Sequence, residues 1–216
     1  MRWTIPNILT VGRLLAAPGV ALVYVFFPHP LSDFLALLLF TAAGVTDYVD
    51  GHLARKWGET SRFGAMLDPI ADKAIVLISV AVLLGLFQLD PLILLPAVVI
   101  LFREVFVSGL REFLGETAGT LAVTRLAKWK TAVQMTAIGI LLAQGMFLWS
   151  LIGRTEGMDA FLVGEALSQF GLLAVLNWFT IGLYWIGIVL FWASAVLTAM
   201  TGWDYFSKAR PHLRDT

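Results

Sequence analysis

The chain has 216 residues, of which 59% are hydrophobic and 14% are charged, and its mean hydropathy is +0.83. A soluble domain usually carries about 25% charged residues, so this composition predicts a protein that uses lipid as part of its solvent. The charges of the 15 basic and 15 acidic residues cancel, so the sequence does not indicate a general attraction to nucleic acid. There is no cysteine, which excludes disulfide bonds and thiolate metal sites.

Six apolar segments are long enough, or nearly so, to cross the hydrocarbon core of a bilayer, which takes about 20 residues of helix. They cover residues 12–27, 33–54, 68–88, 91–113, 130–150 and 178–201. Residues 1–11, ahead of the first segment, mix apolar and polar side chains in a pattern typical of a short amphipathic helix in the membrane interface. The predicted fold is therefore all-α, a polytopic membrane protein with six transmembrane helices and an N-terminal interfacial helix.

The distribution of basic residues predicts the orientation. An even number of spans places both termini on one side, where 14 of the 15 Lys and Arg residues lie, and only Arg154 falls on the other side. The positive-inside rule makes the basic side cytoplasmic. We therefore predict one domain over 1–216: the interfacial helix at 1–11, the membrane domain at 12–201 and a cytoplasmic tail at 202–216.

Four aspartates stand near the cytoplasmic ends of the second and third predicted helices. Asp47 and Asp50 are three apart, and Asp68 and Asp72 are four apart, so each pair shares one helix face. A short loop joins the two helices, and we expect all four carboxylates to converge. They would repel one another unless a cation neutralised them, and oxygen ligands favour hard ions such as Mg²⁺, Mn²⁺ or Ca²⁺. The pattern therefore predicts a divalent metal site.

The residues around the aspartates favour a phosphate-bearing ligand. Gly51 and Ala54 lack bulk, Arg55 can pair with a phosphate, and Gly64 permits close approach. We expect Pro69 in the first turn of the third helix, where proline is tolerated. Helix capping and surface ion pairs are an alternative for Asp68, but they do not explain acidic residues inside the apolar second helix.

Eight of these residues form the pattern Asp-x2-Asp-Gly-x2-Ala-Arg-x8-Gly-x3-Asp-x3-Asp, which resembles the signature of the CDP-alcohol phosphatidyltransferases. The resemblance implies two divalent ions, Mg²⁺ or Mn²⁺, on Asp47, Asp50, Asp68 and Asp72. It implies that Asp72 is the general base for the acceptor hydroxyl and that the protein is a homodimer. The residues it assigns to the CDP-lipid are Asn7, Thr10, Gly51, Ala54, Arg55, Ser61 and Gly64.

Three further segments, 5–13, 103–112 and 127–135, resemble phosphatidylglycerophosphate synthases, although Ala127 stands where those enzymes usually have glycine. Arg103 and Arg111 are about two helical turns apart and share a face. With Lys128 and Lys130 they are expected to bind the acceptor phosphate. The resemblance implies transfer from CDP-diacylglycerol to glycerol 3-phosphate at the inner membrane.

Alternatives stay open from the sequence. The lysines could be ordinary cytoplasmic anchors, and the glutamates beside the arginines are expected to pair with them and have no direct role. Another acceptor, such as phosphatidylglycerol, inositol phosphate or serine, would use the same chemistry. A cation transporter is the remote alternative, although it should carry acidic residues near the middle of its spans.

Overall fold

A computed structural model describes residues 5–57, 62–120, 125–169 and 171–213, without the side chains of 5, 6, 48–57, 116, 118, 120, 125, 127 and 128. This described part is helical and contains no strand, which confirms the predicted all-α class. Its α-helices are α1 (Ile5–Phe26), α2 (Leu31–Trp57), α3 (Arg62–Leu86), α4 (Pro91–Leu114), α5 (Arg125–Thr155), α6 (Ala160–Ser168) and α7 (Leu172–Ala209). Short 3₁₀ turns follow α4 and α7.

Five stretches of described helix are long and apolar enough to span a membrane. They are Asn7–Phe26, Arg62–Leu86, Pro91–Leu114, Trp129–Thr155 and Leu172–Leu213. Large apolar side chains on these stretches are exposed, for example Phe102 at 68% and Val189 at 65%, as expected for a surface in contact with lipid. The chain is thus a multi-pass membrane protein. The segment predicted over 33–54 lies in α2, which is not among the five, so the count of six stays a prediction.

Helix α1 begins at Ile5 and continues without a break to Phe26. Residues 5–11 therefore belong to the same helix as the first predicted span, and a separate interfacial helix is not confirmed in the described part of the chain. One face of α1 is buried at spacings of three and four residues, as helical periodicity requires. Its members, each less than 5% exposed, are Asn7, Thr10, Arg13, Ala17 and Val20. The buried stripe is thus polar in its first half and apolar in its second.

Helix α3 begins at Arg62, earlier than the predicted segment at 68. Pro69 consequently lies inside the helix, and its expected position in the first turn was wrong. A proline there has no N–H to donate to the carbonyl of Ala65. The buried side chains Leu67 and Ala71 provide packing that holds the helical conformation on either side of the proline.

The described residues cluster into two compact units. The first comprises the described parts of Met1–Leu83 and Ile138–Gly187, and the second those of Leu84–Ala137 and Ile188–Thr216. In the first unit a β-carbon on Gly187 would lie 2.6 Å from the Leu141 side chain, so the two helices meet closely there. In the second, Trp192 Nε1 donates a hydrogen bond of 2.9 Å to the Leu92 carbonyl. The single domain over 1–216 stays a prediction.

Candidate active site

Arg13 of α1 lies among three aspartates from α2 and α3. Its Nη1 donates hydrogen bonds to Oδ1 of Asp47 and to Oδ1 of Asp72, and its Nη2 lies 4.0 Å from Oδ1 of Asp68. The Arg13 side chain is 1% exposed, whereas each aspartate side chain is 52% exposed. The guanidinium therefore reaches the carboxylates from the interior, and the carboxylates remain open towards the surface.

Helix α1 makes a second polar contact with the same cluster. Thr10 Oγ1 donates a hydrogen bond of 2.9 Å to Oδ1 of Asp68. Thr10 and Arg13 are three residues apart on the buried stripe of α1, and Asn7 lies one turn before them. The stripe explains the geometry: burying this face of α1 carries its polar side chains to the carboxylates of α2 and α3.

These carboxylates fit a divalent cation by their chemistry. Three groups from two helices converge on one positive charge, and carboxylate oxygens are the ligands that hard ions prefer. Among the side chains that the structure describes, no three acidic or histidine groups form a ready-made metal site. The fourth predicted ligand, Asp50, follows Asp47 by one turn of α2, and its side chain lies outside that description. The role of the four aspartates as ligands stays a prediction.

The predicted CDP-lipid residues are described to different extents. Asn7, Thr10 and Gly64 are all buried in helices that contribute to the cluster. Gly51, Ala54 and Arg55 lie in α2, but their side-chain surroundings fall outside the described part of the chain, as does the whole of Ser61. Of this set, Thr10 contacts the cluster directly through its hydrogen bond to Asp68, and Gly64 lies one turn of α3 before that aspartate.

A second charged cluster, within the second unit, joins α4 to α5. Oε1 of Glu104 accepts a hydrogen bond of 3.1 Å from Arg103 Nη1 and another from Lys130 Nζ. All three side chains are largely buried: that of Arg103 is 17% exposed, that of Glu104 12% and that of Lys130 9%. The expected pairing of Glu104 with its neighbouring arginine is confirmed, and Lys130 is an additional partner.

Helix α7 contributes to this second cluster through two contacts with α4. The Arg111 guanidinium carbon lies 5.1 Å from the centroid of the Tyr205 ring, within cation–π range. A β-carbon on Gly202 would lie 2.9 Å from Cγ of Arg103, so this glycine gives the arginine its space. Both arginines contact α7, which agrees with the shared helix face that their eight-residue spacing predicts. The side chain of Lys128 is outside the described set.

Sequence reasoning missed three of these residues. Arg13 was noted only as part of an N-terminal pattern, although a charged residue inside an apolar helix is itself a functional signal. Its spacing from Thr10 could have placed it on the site face. Gly202 and Tyr205 carry no local signal, because their partners lie on another helix.

The chain belongs to the CDP-alcohol phosphatidyltransferase family, whose model matches residues 3–200. It is 52% identical over 224 aligned residues to a protein from Cereibacter sphaeroides, covering 100% of this chain and 99% of the relative. It is 42% identical to one from Haemophilus influenzae, over 66% and 77% of the two chains, and 36% identical to one from Rickettsia bellii, over 96% of each. All three relatives are named CDP-diacylglycerol–glycerol-3-phosphate 3-phosphatidyltransferase.

Membership of this family makes the chain an enzyme, not the cation transporter that was the remote alternative. Enzymes of the family use divalent metal ions. That requirement agrees with the cluster of described carboxylates around Arg13, because carboxylate oxygens suit such ions.

Proposed function

We propose that this enzyme transfers the phosphatidyl group of CDP-diacylglycerol to glycerol 3-phosphate, giving phosphatidylglycerophosphate and CMP. The observation that carries the proposal is the 52% identity, over the whole chain, to a relative named for that reaction. In the transfer, an acceptor hydroxyl oxygen forms a bond to the lipid-side phosphorus of the pyrophosphate. The bond from that phosphorus to the oxygen of CMP breaks, and CMP leaves.

The four aspartates, Asp47, Asp50, Asp68 and Asp72, are the groups that would hold two divalent ions, Mg²⁺ or Mn²⁺. Bound there, the ions would offset the negative charge of the pyrophosphate. Asp72 is the proposed general base that takes the proton of the acceptor hydroxyl, which requires an accessible carboxylate. Its half-exposed side chain meets that requirement. Thr10 would orient Asp68 through its hydrogen bond.

The CDP-lipid would lie against the small and polar residues beside the aspartates. Asn7 and Thr10 line the polar half of the α1 stripe, and Gly64 is buried one turn of α3 before Asp68. Gly51 and Ala54 would allow the nucleotide to approach α2 closely. Arg55 and Ser61 complete the proposed set, with Arg55 suited to a phosphate.

The proposed acceptor phosphate ligands are Arg103, Arg111, Lys128 and Lys130. Within the second cluster, one carboxylate, Glu104, contacts two cations, so positive charge remains for an anionic ligand. Arg111 adds a further cation, held against Tyr205. Gln134 lies one turn after Lys130, is 2% exposed, and neither of its amide atoms has a hydrogen-bond partner in the described structure. A buried amide of this kind favours a polar ligand nearby.

We further propose that the chain works as a homodimer in the inner membrane, with its termini and aspartates on the cytoplasmic side. The positive-inside asymmetry of the sequence supports this orientation. The polar substrates CMP and glycerol 3-phosphate would then exchange with the cytoplasm, while the acyl chains of the CDP-lipid stay in the bilayer.

An acceptor panel tests the proposal. The purified enzyme, CDP-diacylglycerol and Mg²⁺ would be combined in turn with glycerol 3-phosphate, phosphatidylglycerol, inositol phosphate and serine, and CMP release measured. We expect release with glycerol 3-phosphate alone. Asp72→Asn should reduce the rate by about 10²- to 10⁴-fold, the usual contribution of a general base. Asp159→Asn is the matched control, because Asp159 caps exposed α6 and asparagine caps equally well.

Release with another acceptor would preserve the phosphatidyl transfer and overturn the choice of glycerol 3-phosphate. A full rate in Asp72→Asn would remove Asp72 as the base. No release with any acceptor, from folded protein, would contradict the proposed reaction.

A further inference from the structure

A permanent cation already occupies the centre of the carboxylate cluster. Arg13 donates from a single nitrogen, Nη1, to one oxygen of Asp47 and one of Asp72, which are 34 and 59 positions away in the chain. Its second terminal nitrogen faces Asp68. Because an arginine side chain stays protonated in proteins, this positive charge is present under all working conditions.

We propose that Arg13 is the resident counter-cation of the aspartate cluster. In the metal-free enzyme it holds Asp47 and Asp72 together, and it opposes the divalent ions that bind to the same carboxylates. Arg13 is thus a positioning residue that raises the stability of the metal-free protein and lowers its affinity for metal. The inference rests on the proposed metal-binding role of the aspartates, and it concerns binding and stability instead of the transfer step.

The first half of the proposal follows from the charges and their spacing. Two carboxylate oxygens bonded to one nitrogen must lie close to each other, and like charges at such distances repel. The guanidinium is almost fully buried, where screening by water is weak. Among the side chains that the structure describes, no other cation forms an ion pair with Asp47 or Asp72.

The second half follows from competition for the same oxygens. A divalent ion that binds Oδ1 of Asp47 or Asp72 displaces the hydrogen bond from Arg13, or else binds beside an unscreened positive charge. Both outcomes weaken metal binding. The half-exposed carboxylates leave an approach from the surface, opposite to the buried guanidinium. The ion can therefore reach the cluster while Arg13 stays in the interior.

The test compares Arg13→Gln, which removes the charge, with Arg13→Lys, which retains it. Mn²⁺ binding is measured by the electron paramagnetic resonance signal of the free ion, in nanodiscs and without substrate. We expect Arg13→Gln to bind Mn²⁺ about tenfold more tightly or better, since a positive charge within a few ångströms has been removed. Arg13→Lys should stay within about threefold of the wild type. Arg154→Gln, at an exposed arginine of α5, makes the same change of net charge and should leave the Mn²⁺ affinity unchanged.

Thermal unfolding provides the second readout. With EDTA present, Arg13→Gln should melt several degrees below the wild type, and Mn²⁺ should raise its Tm by more than it raises that of the wild type. A variant that folds only in the presence of Mn²⁺ is the extreme form of the expected result. Should Arg13→Gln fail to fold even with Mn²⁺, the Mn²⁺ affinity of Arg13→Lys remains as the test. An affinity within about threefold of the wild type supports the proposal, and a tenfold loss overturns it.

Unchanged or weaker Mn²⁺ binding in Arg13→Gln would overturn the proposal, as would a tenfold loss in Arg13→Lys. Absence of Mn²⁺ binding by the wild type and by both variants would also overturn it. None of these readouts depends on turnover, so a failure here is distinct from a failure of the acceptor panel.

Discussion

The ammonium group of Lys130 donates a hydrogen bond to the carboxylate of Glu104, 26 positions earlier in the chain, and both side chains are nearly buried. The same oxygen of Glu104 accepts a hydrogen bond from Arg103. This glutamate therefore holds the cations of α4 and α5 in a fixed relation. It also supplies the negative charge that makes burial of Lys130 tolerable, because an unpaired buried charge is costly.

Glu104→Gln should destabilise the enzyme and make its stability depend on an anion. Breaking a buried ion pair from one side costs about 3 kcal/mol, which lowers the Tm of a chain of this size by about 5 °C or more. Glycerol 3-phosphate should then raise the Tm of the variant by more than that of the wild type, because the phosphate replaces the lost negative charge. Differential scanning fluorimetry with and without glycerol 3-phosphate measures both effects.

The matched control for that experiment is Glu156→Gln, at an exposed position, which should leave both temperatures within about 1 °C of the wild type. Equal gains from glycerol 3-phosphate in Glu104→Gln and the wild type would contradict the assignment of the phosphate to this cluster.

Gly202→Ala should impair use of the acceptor without impairing use of the CDP-lipid. The added β-carbon would lie 2.9 Å from Cγ of Arg103, which is closer than real contacts allow, so the flexible arginine must move. We expect the KM for glycerol 3-phosphate to rise about tenfold, the equivalent of about 1.4 kcal/mol. The KM for CDP-diacylglycerol should change little, as measured by initial rates of CMP release.

Gly182→Ala, on the same helix with nothing within 4 Å of its added β-carbon, serves as the control and should leave both KM values unchanged. If Gly202→Ala raised both KM values equally, the change would reflect general damage to the fold. That result would contradict a specific role of Arg103 in binding the acceptor.

The helices and the aspartate pattern could be predicted because they are local. Apolar stretches of about 20 residues indicate spans, and spacings of three and four put Asp68 and Asp72 on one face of α3. The bounds were less accurate: α3 begins at Arg62, seven residues before Pro69, although the proline was expected in the first turn.

Contacts between distant parts of the chain could not be predicted in the same way. Arg13 meets Asp72 across 59 positions, and no periodicity in either helix encodes that pairing. Likewise, the space that Gly202 leaves for Arg103 depends on how α4 and α7 pack. Such contacts result from tertiary packing, which a single sequence specifies only through all of its residues together.

A third buried polar group lies apart from the proposed chemistry, where α1, α2 and α5 meet in the first unit. Asp33 is fully buried. Its Oδ2 lies 2.6 Å from His29 Nδ1, and its Oδ1 accepts a hydrogen bond of 3.2 Å from Tyr24. The His29 ring stacks on Trp149 with centroids 4.5 Å apart. A β-carbon on Gly145 would lie 2.7 Å from Oδ1 of Asp33, so α5 approaches the carboxylate closely.

Gly145→Ala should therefore destabilise the enzyme, although alanine is the better helix former. Overpacking a buried contact costs about 1–3 kcal/mol, which outweighs the gain of about 0.5–1 kcal/mol from replacing a helical glycine. Gly153→Ala, on the same helix with open space around its β-carbon, should gain this helix stability without a steric clash. In thermal unfolding, we expect a lower Tm than the wild type for Gly145→Ala and an equal or higher Tm for Gly153→Ala. The Mn²⁺ affinity of both variants should match the wild type, since neither glycine contacts the aspartates bonded to Arg13. An equal rise in Tm for the two variants would show that the Asp33 carboxylate can move aside without cost.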